Sequence, residues 1–213
     1  MVKLAGAIAA DWSDDVLSGL VRLTYQGGSF NTHRLLAVWA PNLPDNRLGL
    51  GRAGTFGAIE LQQSSGYGQN RFSQRATAHL GWELPFGDTG VLRVLVLSYA
   101  ARFKSPGVVR QDDFLSGRVD FFGTYDDRQG GDAQRHGFSV DLSGRAGSVT
   151  LHQLAFLTLR QLRLRENFTG FHEDPQQVYQ IPRGADPQRG DLIDQATSEF
   201  TVGARGSAQL RTV

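Results

Sequence analysis

The chain has 213 residues, with 22 Lys+Arg against 21 Asp+Glu and a formal net charge of +1, a balance that leaves no basic footprint for nucleic acid. It contains no cysteine, which excludes a disulfide scaffold, a thiolate metal centre and a cysteine nucleophile. Its 26 glycines exceed the usual share of about 7% and suit tight turns and close strand packing. Lys3 and Lys104 are the only lysines. Arginine offers a rigid fork of donors that suits a wall of carboxylate pairs; a codon bias towards arginine explains the excess equally well.

At the start, Leu4–Ala10 is apolar after one early lysine but runs straight into Asp11. It is too short for a secretory leader, so an exported chain requires that Met1 is an internal or artificial start. No apolar run approaches the ~18 residues of a membrane helix.

Leu17–Tyr25 is the first strand. Val21, Leu23 and Tyr25 alternate with Leu20, Arg22 and Thr24, and Gln26, Gly27 and Gly28 end it. Arg34–Ala40 is a second apolar-rich strand, followed by a turn at Pro41, Pro44, Asp45 and Asn46. Arg47–Leu61 is glycine-rich and strand-compatible, and Gln62–Asn70 reads as a loop. Phe72–Leu84 is the clearest strand. Its even positions include Phe72, Ala76, Ala78, Leu80, Trp82 and Leu84; its odd positions include Arg75, Thr77, His79 and Glu83. That period of two predicts a strand with one dry and one wet face.

Pro85–Gly90 is a short turn and Val91–Arg102 the partner strand. Phe103–Leu115 reads as a linker, Gly117–Tyr125 as a strand and Asp126–Gln134 as a polar loop. Phe138, Val140 and Leu142 alternate with Ser139, Asp141 and Ser143, and Gly144–Gly147 turns the chain. Ser148–Asn167 is a long strand, with Leu154, Phe156, Leu162, Leu164 and Phe168 on one parity and Gln153, Gln161, Arg163, Arg165 and Asn167 on the other. A helix fits part of it, but the strand fits better. Gly170–Gln195 is a polar loop, and Phe200–Leu210 is the last strand, again alternating.

Strands of up to about 15 residues exceed the 3 to 10 usual in soluble sheets. Short turns at 85–90 and 144–147 contrast with long connections at 103–134 and 170–195, the pattern of periplasmic turns and external loops in outer-membrane barrels. The expected fold is therefore all-β: an antiparallel transmembrane β-barrel, partial, with roughly eight to ten strands of a larger barrel. The Phe72, Leu80, Trp82 face is expected to meet lipid, with Trp82 in an aromatic girdle. Arg75, His79 and Glu83 are expected to face a polar lumen.

Ser116–Phe122 (SGRVDFF), Thr124–Gly131 (TYDDRQGG) with Arg135, Leu162–Phe171 (LRLRENFTGF) and Arg189–Gln195 (RGDLIDQ) together resemble the barrel domain of TonB-dependent receptors, the plugged transporters of the bacterial outer membrane. The resemblance spans roughly Leu17–Leu210. It implies energy-coupled import of a scarce ligand such as a siderophore, cobalamin or carbohydrate. It further implies outer-membrane lipid as surroundings, and a plug domain with the TonB system as partners. It places Gly130, Gly131 and Arg135 in an external loop. Residues 1–213 read as one partial barrel domain: no plug and no coupling box is found, and the carboxyl end, Arg211–Val213, lacks the terminal aromatic of a complete barrel. A gene fragment or a split half is expected.

Candidate ligand-binding residues are Arg118, Asp120, Tyr125, Arg135, Asn167 and Phe168, at strand ends and on the lumen wall. Arg118, Asp120, Arg160, Arg163, Arg165 and Glu166 are expected to line that wall, mainly pairing with neighbours. Asp112, Asp113, Asp126, Asp127 and Asp132 cluster in sequence, as oxygen ligands of Ca²⁺ do, but without EF-hand spacing; solvated loop charge is the better reading. His33, His79, His136, His152 and His172 show no metal-ligand spacing, and no serine sits in a nucleophile elbow. No enzyme, no cofactor and no bound metal is expected. Two other functions fit the alternation: a passive porin-like channel, and a soluble all-β binding domain that buries the Trp82 face.

Overall fold

The computed structural model describes residues 6–11, 19–41, 55–170 and 191–211. They form one nine-stranded antiparallel sheet in which every strand pairs with its neighbours in sequence. The strands are β1 (Gly6–Asp11), β2 (Gly19–Gly28), β3 (Thr32–Pro41), β4 (Phe56–Ser64), β5 (Ser73–Phe86), β6 (Gly90–Lys104), β7 (Gly130–Ala146), β8 (Val149–Glu166) and β9 (Ile193–Leu210). A five-residue helix, α1 (Gln111–Leu115), interrupts the connection between β6 and β7. Among the described residues β1 and β9 do not pair, so the sheet is open.

Register makes the alternation coherent across strands. Trp82 pairs with Val94, Val94 with Val140, Val140 with Ala155 and Ala155 with Ala204. Side chains directly opposite in an antiparallel pair share a face. One face therefore carries Leu23, Ile59, Leu80, Trp82, Phe138 and Val202. The other carries Arg34, Glu60, Arg75, Glu83, Asp141 and His152.

Several sequence boundaries move. Gln26–Gly28 continue β2 rather than break it, and β4 runs on to Ser64. Phe103 and Lys104 belong to β6. Gly130, Gly131 and Arg135 lie in β7, not in a loop. β9 begins at Ile193, seven positions before the expected Phe200. Residues 171–190 and 42–54, and Leu17 and Ser18, lie outside the described residues.

Gly117–Tyr125 is not a strand. Its backbone is spent on turns: Arg118 N–H donates to the Asp113 carbonyl at 2.9 Å and Gly123 N–H to the Asp120 carbonyl at 2.9 Å. Gly117 sits at φ +74°. The alternation read there was accidental, because these side chains serve a folded loop.

The connections also depart from a simple short-and-long rule. In a meander, successive connections fall at opposite ends. Residues 87–89 and 147–148 are short turns at one end, while 105–129 and 167–192 are long connections at the other. Yet 42–55 is a long connection at the short-turn end, and 29–31 a three-residue turn at the long-loop end. The expected asymmetry holds from β5 onward and fails before it.

Candidate functional site

The apolar face is the more exposed of the two. On central strands, Trp82 is 46% exposed and Ile59 50%, whereas Glu83 on the opposite face is 9% exposed. The only buried large apolar side chains among the described residues are Val119 and Tyr125, both in the loop between β6 and β7.

The polar face is tied together by ion pairs between neighbouring strands. Glu60 accepts from Arg34 Nε at 2.7 Å and from Arg75 Nη2 at 2.8 Å. Glu83 accepts from Arg93 Nε at 2.9 Å, Arg93 reaches Asp141 at 3.6 Å, and Asp141 meets His152 Nε2 at 2.7 Å. Arg160 pairs with Glu199 at 3.5 Å. These residues lie directly or diagonally opposite one another on neighbouring strands, so much of the wall's charge is paired across the sheet. The face is not wholly polar: Leu97, Tyr99 and Phe156 also stand on it.

Arg163 and Arg165 depart from the expected lumen wall. Through the register with Asp132 and Gly130 they fall on the apolar-face side, near the long-loop end. Arg163 forks onto Asp194, with Nε–Oδ1 at 3.0 Å. Leu154, Phe156, Leu162 and Leu164 accordingly stand on the polar face. The dry parity expected for β8 is thus reversed at both ends of the strand.

Arg163 belongs to a sharp boundary. His33, Gln63, Gln74, Arg102, Asp132 and Arg163 are successive register partners across six strands. The next row towards the short turns is Leu35, Leu61, Ala76 and Ala100, before Gln134 and Gln161. Below it the belt is apolar down to the Leu84, Leu92 and Leu142 row, apart from Gln153 opposite Leu142 and from Ser98 and His136, which bond to each other at 2.9 Å.

At the long-loop end the chain between β6 and β7 folds around buried polar groups. The Asp113 carboxylate accepts from the Tyr125 hydroxyl and pairs with Arg118 at 3.1 Å. The Tyr125 oxygen in turn accepts from Arg110 N–H at 3.1 Å. Burial, and then the bond to Asp113, push the Tyr125 hydroxyl above its ordinary range. Gln129, fully buried, accepts from Asn167 N–H at 2.9 Å. Asn167 accepts from Gly170 N–H at 2.8 Å and Thr169 N–H at 3.0 Å. Asn70 donates to the Ser105 and Gln129 carbonyls at 2.5 and 3.0 Å, tying in the loop between β4 and β5.

Of the candidate residues, Arg118 and Tyr125 meet at Asp113, and Asn167 joins the same buried loop through Gln129. Arg118 and Asp120 lie in that loop and not on a strand wall. Asp120 is exposed and stands apart, as does exposed Phe168. Arg135 is exposed on the polar face of β7, on the strand and not in that loop. The loop carboxylates are matched by cations: Asp112 by Arg110 and Asp126 by Arg128, both forked. No group of three or more potential metal ligands occurs among the described residues.

An aromatic run escaped the sequence reading. Phe30, Tyr67, Phe122, Phe121 and Phe114 follow one another edge to face, with centroids 6.2, 6.1, 5.0 and 6.0 Å apart. All five are exposed, and Arg71 lies 4.8 Å over the Tyr67 ring. They come from three connections at the long-loop end, so no periodicity could have announced them.

No family model, curated protein or solved structure matches the chain. The fold defines an all-β class, an open antiparallel meander with nearly no helix.

Proposed function

We propose that this sheet is an arc of wall from a larger outer-membrane β-barrel, and that the barrel is a TonB-dependent importer of a scarce ligand. One observation carries the wall reading: large apolar side chains stand exposed on one face of the sheet while the opposite face is the one whose charges are tied into cross-strand ion pairs. In water that arrangement is costly, at about 25 cal/mol per Å² of apolar surface left wet. A soluble sandwich would instead bury Trp82 and Leu80.

The belt has the right height. From the Ala76 row to the Leu84 row it runs about 27 Å along the strand at ~3.4 Å per residue. A tilt of about 40° turns that into roughly 20 Å, against about 25 Å for the lipid-facing band of such barrels. Strands β5 to β9, at 14 to 18 residues, extend beyond the 9 to 11 needed to cross.

The importer reading rests on the sequence resemblance, and the exposed aromatic run offers flat faces where an outer vestibule would gather a ligand. Fractionation tests the first part: the natural protein is expected in the membrane pellet, released only by detergent, and recovery in the aqueous extract sinks the proposal. Uptake tests the second. Import that stops when the inner-membrane proton gradient is collapsed supports a coupled receptor, and import that continues identifies a passive channel.

A further inference from the structure

We infer that the apolar face holds a specific site for a phosphate-bearing lipid at its polar boundary, a site that rests on the membrane-wall reading above. An open depression of about 700 Å³ lies on this face, with Leu35, Leu61, Ala76 and Ala100 on its floor and Arg102 and His33 on its rim. The floor is low because Ala76 and Ala100 are direct register partners and the next pair towards the short turns, Ala78 and Ser98, is also small, while Gln74 and Arg102 stand tall in the row above. Gln63, Gln74 and Gln134 add hydrogen-bonding side chains around it.

Charge favours an anionic headgroup. Arg102 is exposed and makes no ion pair among the described residues; Asp132, directly opposite, also lines the depression, so the phosphate would sit on the Arg102 side of the rim, away from that carboxylate. An arginine fork suits a phosphate, which it can bind through two parallel bonds. The His33 ring, held by Tyr25 at 2.6 Å and Asn31 at 2.9 Å, fixes the opposite rim. Geometry favours a lipid over free phosphate. In the next rows towards the short turns Ile59, Ala78 and Leu80 follow on the same face, apolar surface along which an acyl chain would run. The headgroup would then lie in the leaflet on the long-loop side, level with the polar row.

Native mass spectrometry of the full protein released from detergent tests this, with phosphatidic acid, the matching diacylglycerol and inorganic phosphate as probes. Phosphatidic acid is expected to stay bound and diacylglycerol to leave. R102Q is expected to weaken retention about tenfold, the scale of one charged hydrogen-bonded contact. The double change A76L with A100L fills the floor and is expected to do the same, while R205Q on the opposite face changes nothing. Equal retention of the two lipids, or R102Q within twofold of the parent, overturns the site. Displacement of the lipid by equimolar inorganic phosphate reduces it to a phosphate site and also overturns it. Heat-dependent gel mobility reports whether each variant is folded; if the filled variant is not, R102Q decides alone. A protein that needs no detergent refutes the membrane wall itself, an outcome distinct from loss of lipid selectivity.

Discussion

Arg135 and Arg160 stand directly opposite each other across β7 and β8, on the polar face. Arg160 is turned to Glu199 at 3.5 Å, while Arg135 makes no ion pair among the described residues. Two like charges in direct register oppose each other. R135E is therefore expected to raise stability by about 0.2–1 kcal/mol, the usual worth of an opposite-charge cross-strand pair. R160E exchanges repulsion from Arg135 for repulsion from Glu199 while gaining an opposite charge at Arg135, and is expected to leave stability within about 0.5 kcal/mol of the parent. Urea unfolding from vesicles measures both, and a destabilised R135E would mean that the cation serves a partner other than Arg160.

Neighbouring residues on β5 should respond oppositely to the same change. L80R places a guanidinium in the middle of the apolar belt, where, under the proposed membrane wall, lipid would exact about 2–4 kcal/mol. H79R adds the same group to the polar face and is expected to stay within about 0.5 kcal/mol of the parent. Folding free energies into lipid vesicles check the pair. Equal losses at both positions would argue that neither face meets lipid.

Gly131 is a close-approach glycine in β7. A Cβ there would collide with the Arg163 carbonyl oxygen, which is backbone and cannot swing aside. G131A is expected to cost about 1–3 kcal/mol and to speed amide exchange near the long-loop end of β7 and β8. G137A, whose Cβ would meet only Leu97 Cβ at 3.8 Å, serves as the tolerated comparison.

The Tyr125–Asp113 contact sets an alkaline limit on the loop. The folded state raises the Tyr125 hydroxyl above its ordinary value near 10, so it binds this proton more tightly than the unfolded loop does. Its contribution is fully present below pH ~10 and is lost as pH climbs through the raised value. Protease nicking between β6 and β7 is expected to stay slow at neutral pH and accelerate above pH ~10. Y125F removes the bond to Asp113, is expected to weaken the loop by about 1–2 kcal/mol at neutral pH, and should flatten that alkaline rise.

The strands were legible wherever one face was dry and the other wet over many residues. Phe72–Leu84 and Phe138–Ser143 follow that rule and came out with the right faces. Ser148–Asn167 came out as a strand, but its parity misled: Leu154 and Phe156 stand on the polar face, and only the register with β7 and β9 shows it. Gly117–Tyr125 failed for a related reason. Nine alternating residues, Gly117–Tyr125, fit a short strand and a folded loop alike, and Asp113, which organises the loop, lies outside that window. The candidate residues suffered likewise. Tyr125 and Asn167 are important, but as buried supports. Gln129 and Asn70 carry no local signal, because the backbone groups they hold, the Asn167 N–H for Gln129 and the Ser105 and Gln129 carbonyls for Asn70, are distant in sequence.

Because each strand touches only its predecessor and successor, no pairing in the sheet has to wait for a distant segment. Closing a loop between remote parts of a chain costs entropy before any contact repays it, and that delay slows folding. A meander avoids it. Each new strand finds its template already in place, so the wall can grow one hairpin at a time. Among the described residues β9 is the last strand in that order, and a damaged hairpin midway, such as one carrying G131A, should stall everything added after it while sparing what came before.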